Sequence, residues 1–144
     1  MMKYYFLFFA LLSAACGSLS QSATAPKASE IKCTVAYRSS VTQPIEQEEM
    51  ITFADADLEQ QIVFDDAVFN AAYTSGDFNG ERSLRLWITE SAESVEVSQS
   101  QLFQLELNSG PKNQFLGGHG FTGLHYSYHP VSGSETQYWC EAVE

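Results

Sequence analysis

Histidine, cysteine and tryptophan supply most of the side chains in this 144-residue sequence that could do chemistry. His119, His125 and His129 fall within eleven positions of one another. On a strand, residues two apart point the same way, so His125, Ser127 and His129 would share a face. Neutral imidazoles on one face hold zinc or copper. Yet His125 and His129 would lie ~13 Å apart along an extended chain, too far to share one ion. No metal centre is expected, and the two are kept as candidate polar binding residues. Leu124, Tyr126 and Tyr128 take the alternate positions and read as the core-facing set. Trp87 and Trp139 take the parity opposite to the presumed core. Exposed tryptophans there would stack on a sugar ring or anchor a protein partner.

The three cysteines form a second set. Cys33 and Cys140 stand near the two ends of everything that follows residue 29, and Cys16 ends an apolar N-terminal run. That run begins Met1-Met2-Lys3, continues through Tyr4–Leu12, and ends in the small residues Ser13-Ala14-Ala15. One positive charge, a short apolar stretch and a small-residue site are the parts of a secretory signal, assigned to residues 1–15. The apolar run falls short of the ~20 residues that span a bilayer core. Ser13-Ala14-Ala15 before Cys16-Gly17 resembles a bacterial lipoprotein signal, with Ser13 where an aliphatic residue is usual. The resemblance implies a lipid anchor on Cys16 and a place in the bacterial cell envelope. Cleavage beyond Cys16 would give a secreted or periplasmic protein instead. Residues 16–29, rich in Ser, Ala and Thr, read as a flexible tether. In an oxidising compartment Cys33 and Cys140 are expected to pair. The bridge would close a loop of just over a hundred residues and contribute ~4–5 kcal/mol by chain-entropy reasoning.

Other patterns carry less. Gly118-His119-Gly120-Phe121-Thr122-Gly123 matches the spacing of a dinucleotide fingerprint, but no helix start follows it. The glycines are expected to mark a loop or a bulge where backbones approach closely. Asp77, Asn79 and Glu81 put oxygen ligands at alternate positions, without the glycine placement or final glutamate of a calcium loop. Asp55, Asp57, Asp65 and Asp66 read as solvated or turn-forming. No nucleophile elbow and no zinc-protease helix motif occurs, and no cofactor is expected.

The elements that must position these groups are strands. Ile31, Cys33, Val35 and Tyr37 alternate with polar or small neighbours, as do Leu84, Leu86 and Ile88, and Tyr138, Cys140 and Ala142. Both cysteines fall on inward parities. Asn79-Gly80 and Pro130-Val131-Ser132-Gly133 mark tight turns. Leu58–Phe69 has partial helical register, but its alternation favours strand. Residues 30–144 are therefore expected to form one all-β domain, a small antiparallel β-sandwich or meander barrel of about seven or eight strands.

Charge narrows the partner. The formal net charge is −11, and about −12 once Lys3 is removed with the signal. Such a surface repels phosphate backbones, so nucleic acid is not an expected partner. The leading expectation is a non-catalytic exported module that binds a protein or small-molecule partner. A barrel holding an apolar small molecule and a hydrolase hidden among the many acids are the alternatives.

Overall fold

The computed structural model describes residues 30–75, 82–105, 111–115 and 117–143. Cys16, the signal and tether segments, and the Asp77/Asn79/Glu81 set lie outside these residues. Every regular element among the described residues is a strand: β1 (Glu30–Arg38), β2 (Gln47–Phe53), β3 (Leu58–Val63), β4 (Val68–Ser75), β5 (Arg82–Thr89), β6 (Val97–Leu105), β7 (His125–Tyr128) and β8 (Glu135–Val143). They form two four-stranded antiparallel sheets, ordered β2-β1-β8-β7 and β3-β4-β5-β6, packed face to face. The segment in partial helical register becomes two strands, because Asp65-Asp66 turns the chain between Val63 and Val68.

Both expected architectures are visible in this order. Followed around the molecule, the strands come in chain order and return to β1, as in a meander barrel. Backbone strand pairing stops at two seams, and that opens the barrel into a sandwich. One seam, between β2 and β3, is crossed by Gln60 Nε2–H donating to Thr52 O at 3.0 Å. The other, between β6 and β7, is crossed by the side chains of Gln101 and His125 at 2.8 Å.

Period-two alternation sends Ile31, Cys33, Val35 and Tyr37 of β1 into the same core as Phe69 and Ala71 of β4 and Leu84 and Leu86 of β5. Burial of each large side chain contributes roughly 1.5–3 kcal/mol. Tyr37 stacks on Phe64 with ring centroids 4.9 Å apart, and Phe69 packs against Tyr138 at 5.2 Å. Cys33 and Cys140 face each other in the β1–β8 register and form a disulfide at the centre of this core. The bridge therefore joins the first and last strands of the domain, 107 residues apart in sequence.

The glycine-rich segment is a strand edge protector. β7 is short, so the second half of β8 lacks a strand partner on that side. Residues 113–115 and 117–122 fill the gap. Phe121 N–H donates to Cys140 O at 3.0 Å, and Cys140 N–H donates to Thr122 Oγ1 at 2.7 Å. Asn113 mimics a paired strand residue, its amide both donating to and accepting from the Ala142 backbone at 2.8 Å. Gly120 has φ +60°, and a Cβ there would sit 2.1 Å from Cys140 O. The close approach that the glycines permit is thus to the chain's own last strand.

Candidate functional site

Four loops meet at the end of the sandwich where β1, β3, β5 and β7 finish: residues 39–46, 64–67, 90–96 and 129–134. Asp66 ties three of the surrounding elements together. Its Oδ1 accepts from the hydroxyl of Tyr37 on β1 at 3.0 Å and from that of Ser134 in the β7–β8 turn at 2.8 Å. Burial opposes the Asp66 charge, but hydroxyls of Ser132, Ser134 and Tyr37 outweigh it and hold the carboxyl below its ordinary pKa. Burial, and then the bond to Asp66, pushes the Tyr37 phenol up to about 12. His129 closes the turn: its Nδ1 accepts from the backbone N–H groups of Val131 and Ser132 at 3.3 and 3.1 Å. Its Nε2 lies 3.8 Å from Glu90 Oε1, which brings the third loop in. Gly133 completes the turn at φ +72°.

Beneath the turn is a cavity of about 10 Å³ bounded by Asp66, Ile88, Ser98, Ser127, Ser134 and Thr136. A space of that size admits one water. Serine, histidine and carboxylate all occur here, but not in catalytic order. The Ser134 hydroxyl donates a hydrogen bond to Asp66, and the His129 Nδ1 lone pair is taken by backbone donors, so no histidine Nδ1 faces a serine hydroxyl. Among the described residues, no group of three His, Cys, Asp or Glu side chains is placed to hold a metal ion. These hydrogen bonds fix the loops in place.

What the loops display is a mixed surface. Val95 and Val131 are 96% and 89% exposed, and Val41, Ile45, Val63 and Val97 at the same end are exposed too. Between them stand the exposed carboxylates Glu46, Asp65, Glu90, Glu93 and Glu96. The four loops contain no lysine or arginine. Arg38, at the end of β1, is committed to Glu135 at 2.8 Å and donates to Gln43 O. Lys32, Arg82 and Lys112 lie towards the opposite end of the sandwich, and Arg85 is at mid-strand over Trp87. Exposed aliphatics and uncompensated acid therefore coincide.

The residues singled out from sequence are scattered relative to this end. Trp139 lies half-buried on the outer face of its sheet, with the His119 ring edge-on at 5.4 Å. Trp87 lies on the outer face of the other sheet, under the Arg85 guanidinium at 4.9 Å. The tryptophans point away from each other and do not form one platform. On β7 the expected faces are reversed. Ser127 is buried, and His125 faces the Tyr138 ring at 5.4 Å, whereas Tyr126 and Tyr128 are 44% and 56% exposed. The reversal follows from pairing: His125 sits opposite Tyr138, whose parity is fixed by Cys140 two places on. Both His125 nitrogens are satisfied within the chain, Nδ1 by Gln101 and Nε2 by Thr122 O at 2.8 Å. Only His129 belongs to the loop end. The loop end itself was missed, although Ser94-Val95-Glu96-Val97 and Pro130-Val131 each place an aliphatic residue inside a polar turn.

A paired cystine is compatible with an oxidising, exported environment. No family model, curated protein or solved structure matches the chain.

Proposed function

We propose that this chain is a non-catalytic, exported binding module of the bacterial cell envelope, engaging a protein partner through the loop end of its sandwich. The observation that supports this most directly is the coincidence of six exposed Val and Ile side chains with loops joined by hydrogen bonds through Asp66. Backbone ordered beforehand loses little freedom on binding, which favours affinity. The lipoprotein-like Cys16 would anchor the chain through a tether that enters at Glu30, at the opposite end from the loops. The loop end would then face away from the membrane. Tyr37, Phe53, Phe69, Tyr138 and the cystine occupy the interior, so little supports the barrel-ligand alternative. A photo-crosslinking amino acid at Val95 or Val131 should give a discrete adduct in the native envelope, and one at Leu102, on an outer sheet face, should not. Adducts from Leu102 alone, or from none of the three, would refute the assignment.

The outer face bearing Trp139 gives a second reading. Tyr126 and Tyr128 stand exposed on the same face. Buried Glu135 holds that region, pairing with Arg38 and accepting from Gln137. An aromatic strip on a polar floor suits a stacked ligand such as a sugar.

A further inference from the structure

We infer that the partner presents a positively charged, partly apolar protein surface to the loop end. The inference rests on the binding role proposed above and specifies the chemistry of the partner. The aliphatic residues alone would accept any apolar surface. The acids restrict the choice. Glu96 stands between Val95 and Val97, and Glu90 and Glu93 sit in the same loop. No lysine or arginine on these loops compensates them, His129 alone approaching Glu90 at 3.8 Å, and the nearest arginine is already paired with Glu135. A neutral partner would desolvate these carboxylates without return. An anionic partner, such as nucleic acid or an acidic bilayer surface, would be repelled. A second copy related by a two-fold axis would bring the same carboxylates together, since such interfaces are self-complementary. Lysine or arginine beside aliphatic residues satisfies both features, and the uncompensated field speeds encounter.

Cytochrome c, a basic folded protein with apolar residues on its surface, serves as the probe, with lysine-acetylated cytochrome c as its charge-depleted counterpart. Binding is measured by biolayer interferometry at about 50 and 300 mM salt. Three variants are compared after thermal melts confirm that each folds. E90Q/E93Q/E96Q removes charge from the loop end. E30Q/D55N/E59Q removes the same charge from the opposite end. V95S/V131S removes apolar contact. The expected result is at least a tenfold loss for the first and third variants and under twofold for the second. Acetylation or high salt should weaken wild-type binding to a similar degree. Equal losses for the two charge variants would overturn the inference, because net charge alone would then explain the binding. Loss only for V95S/V131S would leave the loop end as the site but remove the cationic partner. No loss for any variant, or no binding of the probe to wild type, would overturn the cationic inference at this end; the crosslinking experiment then decides the binding role separately.

Discussion

Replacing Gly120 with alanine should unfold the end of β8, and Gly118→Ala should not. The two glycines share a sequence motif and a left-handed backbone, with φ +60° and +83°. They differ in what a Cβ would meet. At Gly118 nothing lies within 4 Å. Alanine there incurs only the left-handed conformational penalty, ~1–2 kcal/mol, offset in part by ~0.4–1 kcal/mol from a less free unfolded chain. At Gly120 the Cβ would lie 2.1 Å from Cys140 O and 2.6 Å from both Cys140 C and Glu141 Cα. These are backbone atoms of a central strand and have no rotamer to adopt. The loop must withdraw, and the bonds joining Phe121 and Thr122 to Cys140 go with it. Each buried group left unpaired costs ~1–3 kcal/mol. The expected losses are thus ~1 kcal/mol for Gly118→Ala and ~3–4 kcal/mol for Gly120→Ala. Urea unfolding followed by tryptophan fluorescence resolves them. With a slope of ~1.5 kcal/mol/M, the midpoints should differ by more than ~1 M. Midpoints within ~0.3 M of each other would refute the edge-protecting role of the segment.

Four further perturbations test the frame. Cys33→Ala/Cys140→Ala, or reduction of the wild type, should lower stability by ~4–5 kcal/mol in the same assay, from the length of the closed loop. Asp66 has a depressed pKa in the folded state. Its contribution is therefore present above the unfolded carboxylate pKa of ~4 and lost as pH falls through the folded value. Asp66→Asn should cost ~1.5–3 kcal/mol at neutral pH, and the gap to wild type should close in acid melts. The buried hydroxyl of Tyr138 has no hydrogen-bond partner among the described residues, and burial pushes it up to about 12. Tyr138→Phe should be neutral or up to ~1 kcal/mol more stable, and a loss above ~1 kcal/mol would reveal a partner. Trp139→Ala should leave binding at the loop end within twofold, since that side chain sits on an outer face; a larger loss would favour the aromatic strip as the site.

Alternation carried the fold because each strand exposes one face to a single core. Ile31, Cys33, Val35 and Tyr37 could be assigned inward from spacing alone, and Cys140 followed once its neighbours Tyr138 and Ala142 were read the same way. β7 failed that test for a physical reason. Its four residues place two tyrosines on one face and a histidine and serine on the other. Apolarity pointed the tyrosines inward. Pairing with β8 decided otherwise, because His125 sits opposite Tyr138, whose parity is locked by Cys140 two places on. A partly buried histidine with both ring nitrogens bonded is well accommodated against the core, and a tyrosine at a sheet edge keeps its hydroxyl wet.

The loop end was hidden for a different reason. Its acids and aliphatics are divided among segments beginning at residues 39, 64, 90 and 129, and in each segment they look like ordinary turn residues. A meander sends every second connection to the same end. Loops far apart in sequence are thereby gathered, and whatever bias they share becomes one surface. The shared bias here is the absence of lysine and arginine, which no single loop of four to eight residues makes conspicuous. Net charge gave only the total. Strand order gives the cations a direction: acids stand at both ends, but Lys32, Arg82 and Lys112 lie towards the end that holds Glu30, Asp55 and Asp57, and the exposed aliphatic residues gather at the other. Solubility alone would be served as well by acids with lysine and arginine interspersed, so carboxylates without them beside exposed valines are the feature that calls for a partner.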